Sequence, residues 1–193
     1  WRARHPETTL LEKSREVRSS RYASYFQDPE RTGLFRARRL LETMPAKALR
    51  MIDAIDIACP DGGPERLGYL RGHKSVDPHE WFFKAHFYQD PVCPGSLGIE
   101  SFLQLLKEAA IRRWPDLGAS HRFEMTEGQT HGWTYRGQVI PTNQTVQVDA
   151  YITQISDGPQ PHLTAAGSLQ VDGIDIYKME GFELQLKPLD KYT

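Results

Sequence analysis

The sequence predicts an α+β fold in which a strongly curved antiparallel sheet wraps around one central helix. Three observations predict it. From about Ser96 to Arg113, Leu97, Ile99, Phe102, Leu103, Leu105, Leu106, Ala109, Ala110 and Ile111 cover most of a helical circumference. A helix apolar nearly all round is buried on several sides. After residue 120 the apolar pattern changes to period two, in five stretches separated by turn residues. Two further strand-like stretches precede the helix.

In order, Leu49 to Ala58 reads as a strand, Pro60-Asp-Gly-Gly-Pro64 as a turn, and Leu67 to Val76 as the returning strand of a hairpin. Asp77-Pro78 reads as a helix N-cap with Pro in the first helical position, leading into Trp81-Phe82-Phe83. Pro94-Gly95 breaks the chain ahead of the long helix, and Trp114-Pro115 ends it. The later strands are expected over Phe123–Thr126, Gly132–Val139, Val146–Ile155, Leu163–Val171 and Ile174–Leu186. Asp172-Gly173 between two apolar strands marks a tight hairpin. Residues 1–44 read as a basic linker or arm, with short helices around Leu10–Arg18 and over residues 34–43. The compact domain is expected over residues 45–190.

The chain has 193 residues, enough for one domain with a real core; 39% are hydrophobic and 25% charged, as in ordinary globular proteins. No apolar run approaches the roughly 20 residues that span a bilayer, so no membrane partner is expected. The chain begins with Trp and shows no signal-peptide pattern, which suggests a piece of a longer polypeptide. Cys59 and Cys93 form neither a disulfide framework nor a metal-ligand spacing, and the other histidines show none either. A reducing, cytoplasmic setting and no metal are expected. Residues 1–50 hold 12 Lys/Arg and 6 Asp/Glu; the remainder holds 12 and 19, which leaves the net charge at −1. The basic arm lacks interleaved aromatics that stack bases, so no nucleic-acid partner is expected.

The chemistry concentrates between Trp81 and Leu105. His86 follows an aromatic run, Pro94-Gly95 forms a turn, and Glu100 sits in the first turns of an oily helix. A carboxylate there is costly unless paired or used. Gln104 follows one helical turn later, within reach of Glu100.

With Ala48-Leu-Arg-Met-Ile-Asp53, Val76-Asp-Pro-His-Glu-Trp-Phe-Phe83, His86-Phe87, Asp90-Pro-Val-Cys-Pro-Gly95, Leu97-Gly-Ile-Glu100, Gln104-Leu105 and Gly137-Gln-Val-Ile-Pro141 in this order, residues 45–188 resemble the hotdog-fold 3-hydroxyacyl-acyl-carrier-protein dehydratases. The likeness is to the beta-hydroxydecanoyl dehydratase/isomerase type, and most of all to the dehydratase domains of polyunsaturated fatty acid (PUFA) synthases. The resemblance implies dehydration of (3R)-hydroxyacyl thioesters to trans-2-enoyl thioesters. His86 matches the catalytic histidine, Glu100 the catalytic carboxylate, and Gly95 the glycine whose N–H faces the thioester carbonyl. Gln104 would hold Glu100, while Phe83, Cys93, Pro94 and Ser96 would line the substrate tunnel.

The residue types suit that reaction. It takes a base for the C2 proton, an acid for the leaving hydroxyl, and donors for the enolate-like oxygen. The resemblance further implies no cofactor beyond the phosphopantetheine of an acyl carrier protein in the same assembly. It also implies a homodimer, or pairing with an adjacent hotdog, because the histidine and carboxylate of one site come from two hotdog units. Glu100 stands where the free-standing isomerising enzymes have Asp. Gln89 replaces a glycine and Ser96 a cysteine, which leaves isomerisation open. The alternatives are a non-catalytic scaffold hotdog and a hotdog thioesterase.

Overall fold

The computed structural model describes residues 45–189. The arm expected over residues 1–44, with its two short helices, lies outside them. The described elements are β1 (Ala54–Cys59), β2 (Tyr69–Ser75), α1 (Trp81–Ala85), α2 (Gly95–Arg113), β3 (His121–Met125), β4 (Gly132–Tyr135), β5 (Thr145–Ser156), β6 (His162–Val171) and β7 (Ile174–Pro188). The strands form one sheet in the order β1-β2-β5-β6-β7-β3, and β4 also pairs with β7. All pairings are antiparallel.

The sheet curls around α2, which is the expected hotdog architecture. Period-two alternation puts Val146, Val148, Ala150 and Ile152 of β5 on the buried face, and Leu163, Ala165, Leu169 and Val171 of β6 beside them. Phe102, Leu105, Leu106 and Ala110 of α2 meet this face with no exposed surface. Each such large side chain contributes about 1.5–3 kcal/mol by burial. β7 is long enough to take two partners on one edge: β4 pairs with its residues 177–180 and β3 with residues 184–188. Gly181, at φ 68°, separates the two halves. The Asp172-Gly173 hairpin is as expected, with positive φ at both central residues (47° and 93°). Asp172 also accepts backbone N–H bonds from Gln144 and Thr145 and a side-chain bond from Asn143, each at 2.9 Å. One carboxylate thus ties this hairpin to the entry of β5.

Three boundaries differ most from the sequence expectation; the other strand ends move by no more than two residues. β1 starts at Ala54, not Leu49, because residues 47–49 form a 3-10 turn and the backbone at Leu49 and Met51 is bonded to Gln104 instead of a strand. Asp77 does not cap a helix. Its carboxylate accepts from the His79 N–H (2.8 Å) and its carbonyl from the Glu80 N–H (3.1 Å), so the turn closes on itself and α1 starts later, at Trp81. β4 ends at Tyr135, not Val139, because the chain leaves the sheet and the Val139 carbonyl takes the Cys93 N–H (2.9 Å). That bond brings the strand exit onto the Pro94-Gly95 turn. Among the described residues, no helix is long and apolar enough to cross a membrane.

Candidate active site

His86 ends α1. Its N–H donates to the Phe82 carbonyl at 2.9 Å, and its carbonyl accepts the Val92 N–H at 2.9 Å. The ring is fixed from the same place, with Nδ1 3.2 Å from the Val92 carbonyl oxygen. A carbonyl only accepts, so this contact places a proton on Nδ1, and in the neutral ring Nε2 then keeps its lone pair, the tautomer a general base needs. The half-buried ring packs against Phe87, with centroids 3.8 Å apart and the planes tilted by 32°. Beyond it the loop presents Phe87 at 60% and Tyr88 at 91% exposure.

The loop returns through Val92 and Cys93 to Pro94, the N-cap of α2, which offers no side-chain cap to the helix. The Leu97 N–H is taken by the Pro94 carbonyl at 3.0 Å, but the Gly95 N–H and the positive end of the helix dipole lie at the helix start, where an oxyanion would be favoured. Gly95 opens the helix under the ring of Trp133, where an added Cβ would lie 3.0 Å from the indole. At Gly98 an added Cβ would lie 2.1 Å from the Tyr177 ring. Both glycines thus permit an aromatic cover over the helix start. Trp133, Tyr135 and Tyr177 form it, with ring centroids 5.1–5.8 Å apart. Burial raises the pKa of both tyrosines, so both stay protonated donors. The Tyr177 hydroxyl lies 3.4 Å from the Gly95 carbonyl oxygen.

One turn further, Gln104 Nε2 donates to Glu100 Oε1 (2.8 Å) and to the Leu49 carbonyl (2.8 Å), while its Oε1 accepts the Met51 N–H (2.9 Å). Gln104 is 2% exposed and has both faces of its amide engaged. Glu100 opens onto a groove of about 580 Å³ lined also by Leu103, Lys107, Phe123 and Met125. Lys107 lies two turns along the same helix; burial lowers its pKa, and the Glu100 charge opposes that shift. His86 does not line this groove, and no hydrogen bond or ion pair joins it to Glu100 among the described residues.

A separate apolar cleft lies behind the helix start. Phe83 and Cys93 line it, with Phe82, Leu97 and Gly98. Pro94 and Ser96 do not: Pro94 caps the helix and Ser96 is exposed in its first turn. Trp81 turns away from the cleft and donates its indole N–H to the Ala48 carbonyl at 2.7 Å. Burial pushes the Cys93 thiol up to about 12, with the Glu80 charge adding to the rise and Lys74 opposing it. Cys93 is therefore a neutral wall residue at physiological pH. Among the described residues, no group of three or more His, Cys, Asp or Glu side chains is placed to hold a metal.

The family model for the FabA-like domain matches residues 44–180, and so takes in every feature just described. The chain belongs to the FabA-like domain family. This FabA-like domain is 34% identical over 142 residues to one of the polyunsaturated fatty acid synthase subunits of a Thraustochytrium species. The match covers 70% of this chain but spans 9% of that relative's length. Among solved structures, it superposes on the dehydratase heterocomplex ApeI:P from Xenorhabdus doucetiae with a TM-score of 0.52. That alignment covers 79% of this chain and 91% of the other at 10% identity, and so concerns the fold alone.

Sequence reasoning did not single out the aromatic cover of this FabA-like domain. Trp133 and Tyr135 come from β4 and Tyr177 from β7, and only the β4–β7 pairing puts them together. The legible signal was alternation within β4, which places residues 133 and 135 on one face.

Proposed function

We propose that this FabA-like domain dehydrates (3R)-hydroxyacyl groups, carried as thioesters on the phosphopantetheine of an acyl carrier protein, to trans-2-enoyl thioesters. His86 Nε2 takes the C2 proton. The Gly95 N–H, at the uncapped start of α2, polarises the thioester carbonyl as the enolate-like oxygen develops. Glu100, protonated, gives its proton to the C3 hydroxyl as the C–O bond breaks, and water leaves. The proton gained by His86 and the one lost by Glu100 return through solvent, so the enzyme is unchanged and no redox partner is needed. Each proton-transfer group supplies about 10²–10⁴ in rate, and an oxyanion donor about 3–4 kcal/mol.

The observation that carries this reading is the state of His86: its Nδ1 is bonded to the Val92 carbonyl, which leaves Nε2 basic. The uncapped helix start under Trp133 and the fixed Glu100 support it further.

His86 and Glu100 of one chain belong, in this proposal, to different sites, each completed by a second hotdog unit. That unit is another copy of this chain or a neighbouring hotdog in the parent assembly. The separation of His86 from the Glu100 groove supports this, as do the exposed Phe87 and Tyr88 beside His86. A reducing cytoplasmic setting is part of the proposal.

The test is to incubate the full chain with 3-hydroxybutyryl-acyl carrier protein and follow the acyl group by mass. Loss of one water supports dehydration. Release of free 3-hydroxy acid instead points to a thioesterase. An unchanged substrate, with the neighbouring domain supplied, points to a scaffold. The position of the double bond in the product decides whether isomerisation follows.

A further inference from the structure

Lys74 points into the molecule. It shares the core face of β2 with Leu70 and Gly72, and its side chain is 13% exposed. Its Nζ lies 3.0 Å from Glu80 Oε1, whose side chain is 14% exposed, and 3.7 Å from Asp53 Oδ1. Asp53 is held in turn by the Ser75 N–H at 2.9 Å. Stability does not account for this cluster, because an apolar pair of similar volume generally serves a core as well as a buried ion pair does.

Its position suggests a use. Lys74, Glu80 and Asp77 are the charged residues of the cleft behind the helix start, whose remaining lining is apolar apart from Ser75 and Ser101. Glu80 precedes α1 and His86 follows it. Six helical steps of rise separate them by about 9 Å. An acyl chain whose reacting carbons lie between His86 and Gly95 would enter beside Cys93 and Leu97 and extend along α1 toward the ion pair. The cleft encloses about 30 Å³, room for one or two water-sized groups. Methylenes pushed further would desolvate a charged pair without replacing its partners.

We propose that the Lys74–Glu80 ion pair closes the acyl cleft and makes this a site for short 3-hydroxyacyl chains, of the four-carbon class. The inference rests on the dehydratase reading above. A pocket that rejects added methylenes discriminates by roughly tenfold or more.

The test compares four- and ten-carbon 3-hydroxyacyl-acyl carrier proteins with the full chain, together with binding of the matching non-hydroxylated acyl-pantetheine amides, which needs no turnover. The expected result is kcat/KM at least roughly tenfold higher for the short chain, with the same order in binding. Lys74→Ala together with Glu80→Ala removes both buried charges of the pair, while Asp53 keeps its bond from the Ser75 N–H, and should shift the ratio toward the long chain by a similar factor. Lys74→Met with Glu80→Gln keeps the cleft filled but removes both charges, so it should shift the ratio in the same direction by a smaller factor than the double-alanine variant. Equal handling of both lengths by the wild-type chain, in turnover and in binding, overturns the inference and leaves the dehydratase reading standing. An unshifted ratio in a folded double-alanine variant also overturns it. Short-chain preference in binding without any dehydration overturns the functional reading instead. If the double-alanine variant does not fold, the wild-type length series decides.

Discussion

Gln104 Nε2 donates to Glu100 Oε1 at 2.8 Å, one turn along α2, while the same amide holds the Leu49 carbonyl and the Met51 N–H. One buried side chain thus positions the proposed acid and pins the segment that leads into β1. Gln104→Leu removes both. Leaving the Met51 N–H and Leu49 carbonyl unpaired costs about 1–3 kcal/mol each, so the urea midpoint should fall clearly. Dehydration kcat, measured where the variant is still folded, should fall about tenfold, because Glu100 loses a donor that orients it. A variant with unchanged kcat removes Gln104 from a positioning role.

Separate sites for His86 and Glu100 predict complementation. His86→Ala and Glu100→Gln proteins should each be nearly inactive. Mixed, partly unfolded and refolded together, they should regain a fraction of wild-type activity, since exchanged pairs contain one site with both groups intact. No recovery in mixtures shown by mass to contain exchanged pairs would place both residues in one site.

Asp172 gives a pH prediction. Burial alone raises its pKa, but the Thr145 N–H, Asn143 side chain and Gln144 N–H outweigh that and hold it below its ordinary value of 3.8. A carboxylate with a depressed folded pKa stabilises the fold fully above its unfolded value, and that stability is lost as pH falls through the folded pKa. Asp172→Asn should therefore be less stable than wild type at pH 7. The difference should shrink as pH drops below about 4. Unfolding by urea at pH 7 and pH 3 measures it; a constant difference would contradict the assignment.

Cys93 should resist alkylation. With its thiol pushed up to about 12 by burial, next to the Glu80 charge, almost no thiolate exists at pH 8. Iodoacetamide at that pH should leave the Cys93 peptide unmodified in the folded protein and modify it in urea. Rapid labelling of the folded protein would show a more open wall than the cleft described here.

The sheet and the long helix are legible in the sequence because each rests on a local period that burial enforces: two residues along β5 and β6, and an apolar surface around α2. The site motif is legible as a string of residue types with fixed spacing. What each side chain touches is not. Residues 49–53 look like a strand by composition, yet the Leu49 carbonyl and Met51 N–H are bonded to Gln104, more than fifty positions away. Asp77 looks like a helix cap, but its carboxylate closes a turn on His79 first. Trp133 and Tyr135 reach Gly95, and Lys74 meets Glu80, only through strand pairing and helix placement that no local pattern encodes.

The dehydratase claim meets its most direct test in turnover of one substrate by three proteins. Wild type, His86→Asn and Glu100→Gln are each incubated with 3-hydroxybutyryl-acyl carrier protein, and enoyl product is followed by mass. Asn keeps a donor for the Val92 carbonyl but provides no base, and Gln keeps an acceptor for Gln104 but provides no acid. The account predicts conversion by wild type and a fall of about 10²–10⁴ in each folded variant. Enoyl product from both variants at the wild-type rate, or none from wild type with a partner hotdog supplied, would contradict it.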